Sequence, residues 1–127
     1  MNNCSILIKT VADEVENTVR RDGKFSIGKS VKICYAEQNA EIDLTIENGC
    51  ARIERTGDYG MRLQLTPDTI TAGTLSIGGN QGEIRVQTEK VECKAAENGL
   101  RVRLQYALLL GKERQEMQLW IVVKERK

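Results

Sequence analysis

The stretch Ile42-Asp43-Leu44-Thr45-Ile46-Glu47-Asn48-Gly49-Cys50-Ala51-Arg52-Ile53-Glu54-Arg55 decides the fold of this 127-residue chain. Successive side chains of a strand point to opposite faces, so strict alternation of apolar and polar residues marks a strand with one face buried. Ile42, Leu44 and Ile46 share one face, and Asp43, Thr45 and Glu47 share the other. Asn48-Gly49 interrupts the pattern with two residues that tolerate positive φ, as a two-residue hairpin turn requires. On the returning strand Ala51 and Ile53 face the core, and the same period places Arg55 beside them.

Working outward, the alternation continues to both ends, and Pro67 is the only proline that interrupts it. Toward the N-terminus it predicts strands over residues 4–12, 15–21, 24–28 and 30–37, with a hairpin turn at Asp22-Gly23. Toward the C-terminus, Met61, Leu63 and Leu65 point inward before a turn at Pro67-Asp68. Strands follow over residues 69–77, 83–94, 100–110 and 114–125. Gly78-Gly79-Asn80-Gln81-Gly82 reads as a flexible connection, and Asn98-Gly99 and Gly111-Lys112 read as turns. In 83–94 the apolar phase jumps from Ile84, Val86 and Thr88 to Val91 and Cys93, which predicts a bulge near Glu89-Lys90. About ten strands joined by short connections, with no helical period, predict an all-β, antiparallel up-and-down meander. Such a meander removes its edges by closing, so a barrel of about eight to ten strands is expected, with a sandwich of two sheets as the alternative, in a single domain over 1–127.

Composition narrows the function classes. The chain has no histidine, the side chain most used as general base and metal ligand near neutral pH. Nineteen basic and eighteen acidic residues give a net charge of +1, against the basic excess of a nucleic-acid binder. The few rings, Phe25, Tyr35, Tyr59, Tyr106 and Trp120, are too sparse for a base-stacking platform. Cys4, Cys34, Cys50 and Cys93 include no Cys-x-x-Cys pair, so neither a zinc site nor another cofactor is expected. Met1-Asn2-Asn3-Cys4 does not open a signal peptide, and Ala107-Leu108-Leu109-Leu110 is too short to cross a bilayer. A cytoplasmic protein without a membrane partner is the expectation.

Four elements in order carry a family resemblance: Arg55-Thr56-Gly57, Ile84-Arg85-Val86-Gln87-Thr88 after Gly82, Asn98-Gly99, and Val102-Arg103-Leu104-Gln105-Tyr106-Ala107-Leu108. Over about residues 42–125 the chain resembles the YwiB-like family, a domain of unknown function. That resemblance implies a calycin-type, lipocalin-like barrel and no established activity. The segment Leu75-Ser76-Ile77-Gly78-Gly79-Asn80-Gln81 departs from the aromatic-rich character typical there, so a pocket wall built from it would be lined differently.

Three residues combine polar chemistry with an apolar face. Arg55 offers a planar fork of donors for a carboxylate or phosphate, or it sits at the rim and pairs with a carboxylate or loop carbonyls. Thr88 and Tyr106 either satisfy their hydroxyls locally or orient a ligand in an oily pocket. On the outer side, Trp120 and Val122, with Ala107 and Leu109 on the preceding strand, predict a small apolar patch suited to a homodimer contact. No nucleophile elbow or phosphate loop is present, and the carboxylates alternate outward with basic neighbours. The expectation is a non-enzymatic barrel that binds a small, anionic or amphiphilic molecule inside. The alternative is an interaction or homodimerisation module whose barrel is filled by its own side chains.

Overall fold

In the computed structural model, which describes residues 1–126, the chain forms ten strands. They are β1 (Asn2–Ala12), β2 (Val15–Ile27), β3 (Val31–Glu37), β4 (Ala40–Glu47) and β5 (Cys50–Gly57), followed by β6 (Tyr59–Leu65), β7 (Thr69–Ile77), β8 (Asn80–Ala96), β9 (Gly99–Leu110) and β10 (Glu113–Glu125). Each pairs antiparallel with the next in sequence, and β1 also pairs with β10, closing the expected up-and-down barrel.

The turns follow local chemistry. Asn48-Gly49 has φ of 52° and 75°, the all-positive geometry whose twist matches the flanking strands. Gly78-Gly79 does the same at 56° and 83°, so the expected flexible connection is a tight turn and Asn80–Gly82 already belong to β8. The turn assigned to Asn98-Gly99 lies one residue earlier, with Asn98 at φ 60° and Gly99 opening β9. The bulge falls where the pattern put it, between Thr88 and Lys90.

One expected turn is absent. Asp22-Gly23 lies inside the continuous strand β2, whose residue 23 pairs with Cys4 on one side and Tyr35 on the other. A Cβ at Gly23 would stand 2.3 Å from the Cys34 carbonyl oxygen and 2.7 Å from the Ile6 side chain. The glycine is there because a neighbouring strand passes too close for any side chain, a need that a turn-forming dipeptide does not advertise. The first hairpin turn is instead Asp13-Glu14, both at positive φ.

Inward residues of every strand except β7 meet in one core. Ile6, Ile33, Leu63, Leu65, Leu104 and Val123 are fully buried, with Phe25 and Tyr106 supplying the largest volumes. Each such aliphatic side chain contributes about 1.5–3 kcal/mol relative to exposure. A seam interrupts the wall where β6 and β7 pair only between Tyr59–Arg62 and Thr74–Ile77. Below it the Thr71 hydroxyl donates to the Gln64 carbonyl, and the Asp68 N–H donates to the Thr88 carbonyl at 2.9 Å.

Candidate functional site

Arg55 lies on the inner side of β5, as its period required, and is 9% exposed. Its guanidinium does not stand free. Nη1 donates to the Tyr59 carbonyl at 2.7 Å and meets Asp58 Oδ1 at 2.8 Å, while the Tyr59 ring stacks 3.6 Å from the guanidinium carbon. The bond from Arg55 holds the Asp58 carboxyl below its ordinary range. Arg55 therefore staples the β5–β6 turn at the barrel rim through Nη1, which Asp58 and Tyr59 share.

Thr88 and Tyr106 face each other across β8 and β9, both buried. Burial pushes the Tyr106 phenol well above its ordinary range, with Tyr35 adding to the shift, and burial likewise raises Tyr35 to about 12. Both phenols stay protonated near neutral pH, so neither is a base there. The thiols follow the same rule: burial raises Cys4 and Cys93, and raises Cys34 to about 11 with help from Asp43. A thiol held protonated is a poor nucleophile.

Thr88 Oγ1 is buried and finds no hydrogen-bond partner among the described residues. A buried hydroxyl without an acceptor carries an uncompensated desolvation cost. Thr88→Val keeps the shape and removes that cost, so it is expected to raise stability by about 1 kcal/mol. The readout is a higher urea midpoint at unchanged slope. A lower midpoint would mean that the fold depends on a bond this hydroxyl makes, through a water for example.

The outer wall of β2, β1, β10, β9 and β8 is different in kind. The ladder registers align Arg20, Leu7, Val122, Arg101 and Lys94 in one row across the five strands. The adjacent row is Thr18, Lys9, Trp120, Arg103 and Glu92. At about 4.8 Å between strands each row spans about 19 Å. Trp120 is half-buried, with the Lys9 ammonium and the Arg103 guanidinium each 5.1 Å from its ring centroid. Arg103 Nε is buried and has no acceptor among the described residues. A cleft of about 360 Å³ opens on this wall between Trp120, Arg101, Arg103 and Lys94. On the far side of the barrel, β4 turns Glu41, Asp43, Thr45 and Glu47 outward. The net charge of +1 thus conceals a basic cluster on one wall, while the far side is mixed, with Lys32, Arg52 and Arg62 on the strands beside these carboxylates.

Trp120 and Val122 sit where the sequence placed them, but Leu109 does not join them. It lies six residues beyond Arg103 along β9, about 20 Å away. Ala107 between them is 1% exposed. Its cross-strand neighbours are Glu116 and Gln87, and Arg114 bonds both, Gln87 at 2.7 Å and Glu116 at 2.5 Å. The apolar patch is therefore split, and its Ala107 part is roofed by an arginine bridge. The basic rows escaped sequence reading, although Arg101 and Arg103 already stood two apart, because their alignment with Arg20, Lys9 and Lys94 exists only once the register is known.

A family model described as Domain of unknown function (DUF1934) matches residues 5–121. The chain belongs to this family. No curated protein matches the DUF1934 chain. Among solved structures it is similar to the one titled "Crystal structure of ywiB protein from Bacillus subtilis", with TM-score 0.83 and 14% identity over 99% of this chain and 93% of the other. At that identity the likeness carries the barrel alone. This DUF1934 domain has no helix, among the described residues, long and apolar enough to cross a membrane.

Proposed function

We propose that this DUF1934 domain is a non-catalytic cytoplasmic interaction module that receives an acidic segment of a partner protein on the outer wall of β1, β10, β9 and β8. The observation that carries this reading is the cleft beside Trp120 bounded by Lys94, Arg101 and Arg103, three cations that form no ion pair among the described residues. A carboxylate docked in the cleft meets the Nη groups of Arg103 and the guanidinium of Arg101, and charge-assisted bonds of this kind are about twice as strong as neutral ones. An acidic peptide fits better than nucleic acid, because the Trp120 ring is engaged by Lys9 and Arg103 and Glu92 interrupts the basic rows. Two copies meeting through this wall would oppose like charges, which disfavours it as a homodimer face.

The packing of inward side chains into one core cluster supports this reading over a lipocalin-like use of the lumen. The inward positions hold each other's side chains, Arg55 is engaged at the rim, and the five clefts described, of about 220–360 Å³, all open on the outer surface. High thiol and phenol pKa values together with the absence of histidine support a non-catalytic role.

Trp120 is the only tryptophan of the chain, so its emission reports on this wall alone. Titration with poly-glutamate at low salt is expected to change that emission saturably. Arg101→Gln with Arg103→Gln should weaken the response at least about tenfold, the loss of about 1.4 kcal/mol. An emission that stays constant into the millimolar range removes the reading, and stronger binding of an oligothymidylate than of poly-glutamate transfers it to nucleic acid.

A further inference from the structure

Apart from the β6–β7 seam, the barrel leaves one long main-chain edge unpaired. β2 pairs with β1 from Val15 to Phe25, but with β3 only from Gly23 onward. Residues 15–22 therefore have a neighbour on one side only. They are exposed apart from half-buried Val19 and Arg21, and Val15 is 71% exposed. The two-residue turn Asp13-Glu14 makes Ala12 and Val15 a hydrogen-bonded pair, so Val15, Asn17, Val19 and Arg21 spend their main-chain groups on β1. The Asp13 N–H donating to the Glu116 carbonyl fixes the same phase from the β10 side. Glu16, Thr18, Arg20 and Asp22 then turn N–H and C=O groups away from the barrel. The Arg20 carbonyl confirms this, since it is taken by the exposed Arg21 side chain at 2.9 Å. The stretch has no proline and no bulge, which are common protections of a long edge.

We propose that this edge pairs with the same edge of a second copy of the chain. A two-fold axis normal to the sheet must pair residues of equal parity. Centring it on Thr18 places Thr18 opposite Thr18, Asn17 opposite Val19, and Glu16 opposite Arg20 in both halves. Of the four residues with free main-chain groups, Glu16, Thr18 and Arg20 meet one another in this register, so three hydrogen-bonded pairs form, about six new bonds, and Glu16 is shared between Arg20 of the second copy and its own Lys9 at 3.0 Å. Opposite charges and Thr–Thr pairs are favourable cross-strand neighbours. Moving the axis by one residue of the same parity onto Val19 sets Glu16 against Asp22, and moving it the other way onto Asn17 separates Glu16 from Arg20. Among strand residues 15–21 the charge pattern therefore favours the Thr18 register; beyond them Asp22, held by Arg126 at 2.7 Å, falls opposite the turn residue Glu14 of the second copy. Arg21 leaves the Arg20 carbonyl and lies opposite the partner's Val15, covering the side chain that is otherwise 71% exposed. Equal parity also keeps both outer faces on the same side, so the two basic walls join into one surface. This extends the proposed function, but its test is separate.

Sedimentation velocity across a range of concentrations up to about 500 μM is expected to show a monomer–dimer equilibrium. Arg20→Glu sets like charges opposite each other twice and should raise the dissociation constant at least about tenfold. Glu16→Arg added to Arg20→Glu restores the complementarity and should return the dimer. Thr18→Pro removes an N–H that faces away from β1, so the barrel persists by circular dichroism while the dimer is lost. In the dimer the Thr18 and Arg20 amides gain protection from hydrogen exchange. A wild-type chain that stays monomeric throughout overturns the proposal, and so does a dimer that neither Arg20→Glu nor Thr18→Pro weakens. A monomer that still binds poly-glutamate overturns this inference alone, and a dimer that does not bind it overturns only the proposed function.

Discussion

Gly99→Ala is expected to cost at least about 3 kcal/mol and to lower the urea midpoint by more than about 1 M. A Cβ at residue 99 would stand 1.8 Å from the Val123 carbonyl oxygen and 2.7 Å from the Val123 carbonyl carbon. Those atoms belong to the β10 main chain where it pairs with the start of β9, so relief requires the two strands to part. With a typical domain stable by only about 5–15 kcal/mol, a loss of this size is a large share of the total. Gly82→Ala is the internal comparison. It too lies in a strand, but nothing stands within 4 Å of its added Cβ, and the change should stay within about 1 kcal/mol. Equal stability of the two variants would show that β9 and β10 do not approach as described.

Leu104→Ala is expected to cost about 3–4 kcal/mol by denaturant unfolding. Leu104 is fully buried in the middle of β9, with Val91 of β8 and Leu119 of β10 as its cross-strand neighbours. Truncation loses the transfer energy of the removed carbons and adds the cost of the cavity that the rigid wall cannot collapse. The neighbouring residue Gln105 faces outward, where its amide bonds Glu89 at 2.8 Å, and Gln105→Ala should cost less than about 1 kcal/mol. The contrast also bears on the lumen. If the interior were a hollow ligand chamber, trimming Leu104 would enlarge an existing void and cost less than the filled core predicts. A ranking inverted between 104 and 105 would mean that β9 is slipped by one residue, since that shift exchanges its faces.

Neither proposal depends on a pocket of the kind a barrel first suggests. The same period that filled the inside with aliphatic side chains placed Arg101, Arg103, Lys9 and Trp120 outside. A function on the outer wall is thus the chemical complement of an apolar interior. The unpaired edge of β2 lies at the margin of that wall, so pairing there enlarges the charged surface without disturbing the core.

The linear chain was sufficient to show strand character, the faces of Ile42 to Ile53, the Asn48-Gly49 hairpin, the bulge after Thr88 and the inward aim of Arg55. These are legible because side-chain alternation and turn geometry involve residues at most a few positions apart. Asp22-Gly23 was misleading for the same reason: the local signal allows a turn, while the close passage of β3 requires a glycine within a strand. The engagement of Arg55 Nη1 by Asp58 and Tyr59, the arginine bridge over Ala107, the basic rows and the free edge of β2 were settled by tertiary structure alone. Each depends on the register between strands; Arg20 and Lys94 share a row although 74 positions separate them, a relation that closure of the barrel creates and no local pattern encodes.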